Sequence, residues 1–123
     1  MEERVDDAVT KLDRLRDALR AFTAARNWQS FHSPKNLAMA LSVEAAELLE
    51  VFQWMTEADS RNLEPAAKTA ASEEIADVLL YLILLCDALG IDPVAAAERK
   101  MAANAQKYPV EKARGTSKKY TEL

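Results

Sequence analysis

Glycine, proline, cysteine and histidine are scarce in this chain, and each scarcity excludes something. Its 123 residues include two Gly, four Pro, one Cys and one His, while half of the residues are hydrophobic. Few Gly and Pro residues beside abundant Ala, Leu, Glu and Lys are typical of a helical protein. The lone Cys86 excludes an intramolecular disulfide, and its apolar surroundings predict a buried, reduced thiol.

Long apolar runs are also missing. The longest covers the nine residues 78–86, between Asp77 and Asp87, whereas a membrane-spanning helix needs about 20 residues. We therefore expect a buried helix here and no membrane contact. The sequence begins Met-Glu-Glu-Arg-Val, without the apolar core of a secretory signal, so we expect a cytoplasmic protein.

The net charge of the chain is small, but its acidic and basic residues are unevenly distributed along the sequence. The net charge is −4, with 9 basic and 18 acidic residues in 1–98 but 7 basic and 2 acidic residues in 99–123. An acidic body opposes binding to the phosphate backbone of a nucleic acid. A small polyphosphate is a better match for the basic end, and we expect no nucleic-acid partner.

The spacing of apolar residues at steps of three and four predicts an all-α fold. Ser33-Pro34 supplies a capping hydroxyl and a proline for the first turn of one helix, and Gly90 is placed to end another. We expect four helices in a bundle-like domain over residues 1–109, followed by a basic tail over 110–123. The predicted helices are 4–27, 34–56, 65–89 and 93–107, and residues 57–64 break the pattern.

The second and third of these helices are apolar around most of their circumference. Such helices need partners on several sides, and a chain of this length with four helices cannot cover both. We therefore expect the two helices to form a core shared between subunits, in a homodimer or a homotetramer.

Two acidic pairs lie within these same apolar helices. They are Glu44-Ala-Ala-Glu47, followed by Glu50, and Glu74-Ile-Ala-Asp77. Residues three apart share a helix face, so each pair suffers like-charge repulsion that a divalent cation relieves. Carboxylates hold Mg²⁺, usually together with substrate phosphates, so the pattern favours chemistry on a phosphate ester or anhydride.

Aromatic and basic residues accompany the acids. Trp54 follows Glu47 by seven residues and Tyr81 follows Asp77 by four, so helical spacing predicts that each shares a face with its acid pair. Rings beside a metal suit the stacking of a base. Other candidates for ligand contacts are Trp28 and His32, just before the second helix, and Lys100, Asn104, Lys107 and Tyr108 near the end of the fourth.

Other interpretations compete with a metal site. Glu-x-x-Glu occurs by chance in many solvated helices, and the acids of a non-enzymatic helical interaction module need not bind metal. A di-iron carboxylate bundle requires Glu-x-x-His motifs on two helices, and the only histidine, His32, lies outside both acidic pairs. The paired motif on two apolar helices favours the enzyme.

Most of residues 26–123 resembles the MazG-like all-α nucleoside triphosphate pyrophosphohydrolases, and among them the dCTP pyrophosphatase branch. Residues 1–25 share only helical character, and Ala45-Ala46 stand where many relatives have a glycine. The stretches that carry the likeness are 26–37 (RNWQSFHSPKNL), 44–54 (EAAELLEVFQW), 73–82 (EEIADVLLYL), 100–104 (KMAAN), 107–109 (KYP) and 114–123 (RGTSKKYTEL).

The resemblance implies hydrolysis of a (deoxy)nucleoside triphosphate, dCTP in the first place, to the monophosphate and pyrophosphate. The sequence itself offers two candidates for orienting the attacking water, Glu47 and Glu50, and helical spacing does not decide between them. A related enzyme acting on dUTP or on modified nucleotides is the runner-up. The resemblance also implies that Mg²⁺ is bound by Glu44, Glu47, Glu74 and Asp77. It implies that the base and sugar are bound by Trp28, His32, Trp54 and Tyr81, and that the phosphates are bound by Lys100, Asn104 and Tyr108.

Overall fold

The computed structural model describes the backbone of residues 5–123 and the side chains from residue 11 onwards. All regular structure in this part of the chain is helical, which confirms the all-α prediction. The helices are α1 (Val5–Ala25), α2 (Pro34–Phe52), α3 (Glu57–Arg61), α4 (Pro65–Leu89), α5 (Pro93–Lys107) and α6 (Val110–Ala113), with 3-10 turns at Gln29–Phe31 and Tyr120–Glu122.

The predicted helices match the long observed ones, with differences at their ends. The bounds of α4 and α5 agree with the prediction, but α2 ends at Phe52, four residues before the predicted end at residue 56. The predicted break at 57–64 contains α3, which Thr56 caps by accepting a hydrogen bond from the backbone N–H of Asp59 at 3.1 Å. Five residues are too few to give a periodic pattern. The predicted first residue of the first helix, residue 4, lies outside the described residues.

Capping residues define ends of helices α2, α4 and α5. The Ser33 hydroxyl accepts a hydrogen bond from the N–H of Asn36 at 3.2 Å, and Pro34 occupies the first turn of α2. Gly90 ends α4 in the left-handed conformation, at φ 66°. Asp92 caps α5 by accepting hydrogen bonds from two backbone N–H groups, at 3.0 and 3.2 Å.

The core lies between α2 and α4, which pack against each other far more extensively than α1 packs on α4. Leu37 on α2 and Ala71 and Ile83 on α4 are its buried apolar side chains. Among residues 78–86 only Ile83 is buried, and Cys86 is half-buried rather than fully buried as the sequence predicted. The core within one chain is therefore small for helices this apolar.

The chain divides into two compact units. The first ends at Ile91 and holds helices α1 to α4, and the second covers Asp92–Leu123. In the second unit the ring of Tyr120 contacts Tyr108 edge to face, with centroids 6.1 Å apart, and Lys107 Nζ lies 4.8 Å from its centroid. These contacts involve part of the predicted tail. Its boundary at residue 109 stays a prediction.

No single helix among residues 5–123 has both the length and the apolar composition needed to cross a membrane. Taken together, α4 and α5 meet the same criteria by length and composition alone, although residues 90–92 interrupt them.

Gly90 provides a test of how α4 ends. An alanine there meets no atom within 4 Å, so its cost is purely conformational, and we expect Gly90→Ala to lower the free energy of unfolding by roughly 1 kcal/mol. Asn adopts the left-handed conformation more readily than Ala does, so Gly90→Asn should lower the free energy of unfolding by less than Gly90→Ala does. Urea denaturation of both variants measures the difference. An equal loss would show that the backbone conformation is not the cause.

Candidate active site

Three carboxylates converge between α2 and α4. Glu44 on α2 and Glu74 and Asp77 on α4 each offer one oxygen, and these oxygens lie within 4.8 Å of one another. Both glutamates are half-buried, whereas Asp77 is exposed. The packing of two long helices therefore joins two acidic motifs that are 30 residues apart in sequence.

Two oxygens in this cluster have no partner. Oε2 of Glu44 and Oε2 of Glu74 are buried and make no hydrogen bond. A buried polar atom without a partner is costly, so native proteins rarely leave one without a water, an ion or a ligand to satisfy it. Here the two atoms belong to neighbouring acids, which points to a cation as the missing partner.

Burial and mutual repulsion hold protons on this cluster. Burial first, and then a hydrogen bond to Glu47 and the charges of Glu47 and of the α4 acids, together raise the pKa of Glu44 from 4.5 to about 7. The pKa of Glu74 is raised by burial first and by the charge of Glu47 second. Desolvation and like charge both disfavour the ionised form, so a cation binding here must displace a proton.

Glu47 and Glu50 occupy different surroundings. Glu47 is half-buried and close enough to interact with both Glu44 and Glu74, although its oxygens lie outside the three-residue group. Glu50 is exposed, one turn further along α2. The structure thus brings Glu47 to the cluster but gives Glu50 no contact with it.

The donor set fits a hard divalent cation. Mg²⁺ and Ca²⁺ prefer oxygen ligands, and oxygens bound to one octahedral Mg²⁺ lie at most about 4.2 Å apart. The three oxygens lie within 4.8 Å of one another, so their separations exceed this limit by about 0.6 Å at most. The cluster contains no cysteine or histidine, which softer metals such as Zn²⁺ favour.

The predicted aromatic residues are found in separate environments. Tyr81 is half-buried on α4, one turn after Asp77. Trp54 is 89 % exposed and lies beyond the end of α2, so the helical spacing behind its predicted face does not extend to it, and its role stays a prediction. The indole of Trp28 contacts Phe22 and His32 edge to face, with centroids 5.7 and 6.2 Å apart.

The three predicted phosphate-binding residues belong to the second unit. Lys100 and Asn104 are exposed on α5, and Tyr108 follows as its C-cap. Their predicted role stays a prediction.

One feature near His32 was absent from the sequence predictions. A cavity of about 190 Å³ is lined by Arg20, Thr23, Gln29, His32, Leu37, Leu84, Asp87 and Ala88. The guanidinium of Arg20 donates two hydrogen bonds to the carboxylate of Asp87, one of them at 2.9 Å. Since 67 residues separate these two partners, no local pattern links them.

The raised pKa of Glu44 predicts how stability depends on pH. Between pH 4.5 and about 7 the folded protein retains a proton that the unfolded chain releases. The stability contributed by this group is therefore complete below pH 4.5 and is lost as the pH rises through 7. Urea unfolding of metal-free protein should show this loss, and added Mg²⁺ should stabilise more strongly above this window.

Two variants isolate the group responsible. Glu44→Gln should weaken the pH dependence, whereas Glu73→Gln, which alters an exposed acid on α4, should leave it unchanged. If the curves of wild type and Glu44→Gln are parallel across the window, the assignment to Glu44 is wrong.

Known proteins resemble this chain in sequence and in fold. Residues 39–123, which include both acidic pairs, match the MazG-like family. The dCTP pyrophosphatase 1 proteins of Rattus norvegicus and Homo sapiens are each 42% identical to the chain over 104 residues, 83% of its length. The chain spans 61% of the length of these relatives.

A solved structure extends the comparison to the fold. The crystal structure of a pyrophosphatase from Archaeoglobus fulgidus matches with a TM-score of 0.76 and 46% sequence identity, covering 80% of this chain and 93% of that chain. The family match covers more than two thirds of the chain, and the structural match agrees with it. The chain belongs to the MazG-like family.

Proposed function

We propose that this chain is a Mg²⁺-dependent hydrolase that cleaves a (deoxy)nucleoside triphosphate, with dCTP as the first candidate, into the monophosphate and pyrophosphate. The observation that carries the proposal is the convergence of Glu44, Glu74 and Asp77, because two of these acids each have a buried oxygen without a hydrogen-bond partner. Support also comes from the relatives named dCTP pyrophosphatase 1 and the pyrophosphatase of similar fold.

Glu44, Glu74 and Asp77 would hold the cation, with Glu47 beside them. When bound, Mg²⁺ neutralises phosphate charge and so lowers the repulsion that an incoming nucleophile meets. Without it, the buried acids would repel a polyphosphate. Their partial protonation limits that repulsion only below about pH 7.

Glu47 is the favoured residue for activating water. It touches the cluster without belonging to the three-oxygen group, so its carboxylate is available to accept a proton. Water attacks the α-phosphorus, a new P–O bond forms as the bond to the β-phosphate oxygen breaks, and pyrophosphate leaves. The proton of the water passes to the carboxylate. Glu50 is the alternative, because it follows one turn later on the same helix.

The nucleoside end would extend towards the cavity. Leu84 lies seven residues beyond Asp77 on α4, and Leu37 lies seven residues before Glu44 on α2. At 1.5 Å per residue, the cavity therefore lies about 10 Å along both helices from the acids, on the same faces. Trp28, His32 and Tyr81 are then candidates for contacts with base and sugar, as is Trp54. Lys100, Asn104 and Tyr108 remain candidates for the phosphates.

Exposed apolar side chains support a homo-oligomer. Ile75, Leu79 and Leu82 form a stripe on α4 at steps of four and three, and each is more than a third exposed. Met39 and Val43 on α2 are more exposed still, at 58 % and 56 %. A contiguous apolar surface of this kind marks an interaction site. We propose that a second copy of the chain covers it, in a homodimer or homotetramer.

Light scattering after size exclusion tests the assembly. Leu79→Glu places a charge in the α4 stripe and should yield a monomer, because burying an unpaired carboxylate costs several kcal/mol or more. The control Ala66→Glu adds the same charge at an exposed position near the start of α4 and should leave the mass unchanged. A monomeric wild type would contradict the assembly.

Product analysis in ¹⁸O-labelled water tests the reaction. With Mg²⁺ and each deoxynucleoside triphosphate in turn, we expect monophosphate and pyrophosphate, with the label in the monophosphate because water attacks the α-phosphorus. Release of diphosphate and orthophosphate would refute the proposed bond. Faster turnover of dUTP or of a modified nucleotide would favour the alternative substrates.

The acids are tested in the same assay. Asp77→Asn removes an exposed member of the cluster and should lower kcat/KM by about a hundredfold or more, because several kcal/mol of charge stabilisation depend on the cation. Glu73→Gln is the matched control on the same helix. Hydrolysis that persists in EDTA would contradict the metal dependence, and no hydrolysis of any nucleotide would favour a non-enzymatic interaction module.

A further inference from the structure

The ion pair between Arg20 and Asp87 joins α1 to α4 at the edge of the cavity. Two parallel hydrogen bonds connect the guanidinium to the carboxylate, a geometry that fixes orientation as well as distance. The side chain of Asp87 is 24% exposed and that of Arg20 is 54% exposed, so the carboxylate is partly shielded from solvent whereas the guanidinium is open to it. Arg16, one turn earlier, makes its ion pairs with Asp13 and Asp17 on its own helix, and its charge acts on Asp87 less strongly than that of Arg20.

The Arg20–Asp87 ion pair contributes to the attachment of α1 to α4. α1 packs on α4 much less extensively than α2 does. The bidentate ion pair therefore adds a directional contact where the packing between the two helices is less extensive. Without the ion pair, the last turns of α1 would lose a contact that fixes their orientation on α4.

A chain of contacts runs from the ion pair to Trp28. Thr23 is buried, and its hydroxyl donates to the carbonyl of Arg20 at 3.2 Å. The carbonyl of Thr23 in turn accepts the N–H of Trp28 at 3.0 Å. Between them Asn27 adopts the left-handed conformation, at φ 53°, which turns the chain back towards α1. The loop after α1 is therefore tied to the turn that Arg20 anchors.

This loop carries the residues expected at the nucleoside end. The indole of Trp28 contacts the imidazole of His32, and His32 lines the same cavity as Arg20 and Asp87. We propose that Arg20 and Asp87 are positioning residues for substrate binding, because their ion pair holds the loop of Trp28 and His32 in register with the acids on α4. The inference rests on the proposed function.

Kinetics of the full chain test the role. A partly exposed ion pair contributes modestly, so Asp87→Asn and Arg20→Gln should each raise KM by roughly threefold with kcat unchanged. Arg20→Lys keeps the charge and should recover part of the loss. Arg16→Ala, which removes a neighbouring charge on α1, should behave as wild type.

The double variant separates one shared interaction from two independent effects. If Arg20 and Asp87 act through each other, Arg20→Gln combined with Asp87→Asn should be no worse than either single change. Additive losses, an unchanged KM in both single variants, or a fall in kcat equal to the rise in KM would each overturn the proposal.

A measurement without substrate distinguishes this proposal from the proposed function. In a Trp54→Phe background, Trp28 is the only tryptophan, and its quenching by acrylamide reports how well the loop is held. Asp87→Asn should increase the quenching constant, whereas Arg16→Ala should not. If wild type hydrolyses no nucleotide, the proposed function fails. Unchanged quenching in Asp87→Asn would then overturn the positioning role on its own.

Discussion

Repulsion between carboxylates held together by helix packing is the constraint on which the site depends. α2 and α4 pack through Leu37, Ala71 and Ile83, and this packing brings Glu44 against Glu74. Apolar burial is non-directional and roughly additive, so it can hold two acids together although their charges oppose it. The strain appears as a raised pKa on both glutamates and as two buried oxygens without partners.

The same two helices are also the most exposed apolar part of the chain. α4 presents Glu74 and Asp77 on one face and Ile75, Leu79 and Leu82 on an adjacent one. A helix that is apolar on most sides and polar on one is suited to support a charged site while packing on several partners. The proposed catalytic site and the proposed subunit interface share α4, so the proposal implies that subunit contacts influence the geometry of the acids.

Much of this fold was readable from the sequence because its signals are local. Ser33 before a proline gave the start of α2 correctly. Gly90 after an apolar run, Asp92 before a proline, and the spacing of three and four residues gave the bounds of α4 and α5 correctly. The end of α2 was misjudged, because apolar residues up to Met55 continue the pattern after Phe52. The helix stops in a turn that periodicity does not reveal, so Trp54 lies outside the helix.

The sequence by itself determined the helical class, the two acidic motifs and the scarcity of other metal ligands, since composition and spacing within one helix are enough for these. Only the tertiary structure decided that Glu44 meets Glu74 and Asp77, that Glu47 lies nearer to them than Glu50 does, and that Arg20 pairs with Asp87. Each of these depends on how separate helices pack. Packing is a sum of many weak contacts between distant residues, and no local pattern encodes it.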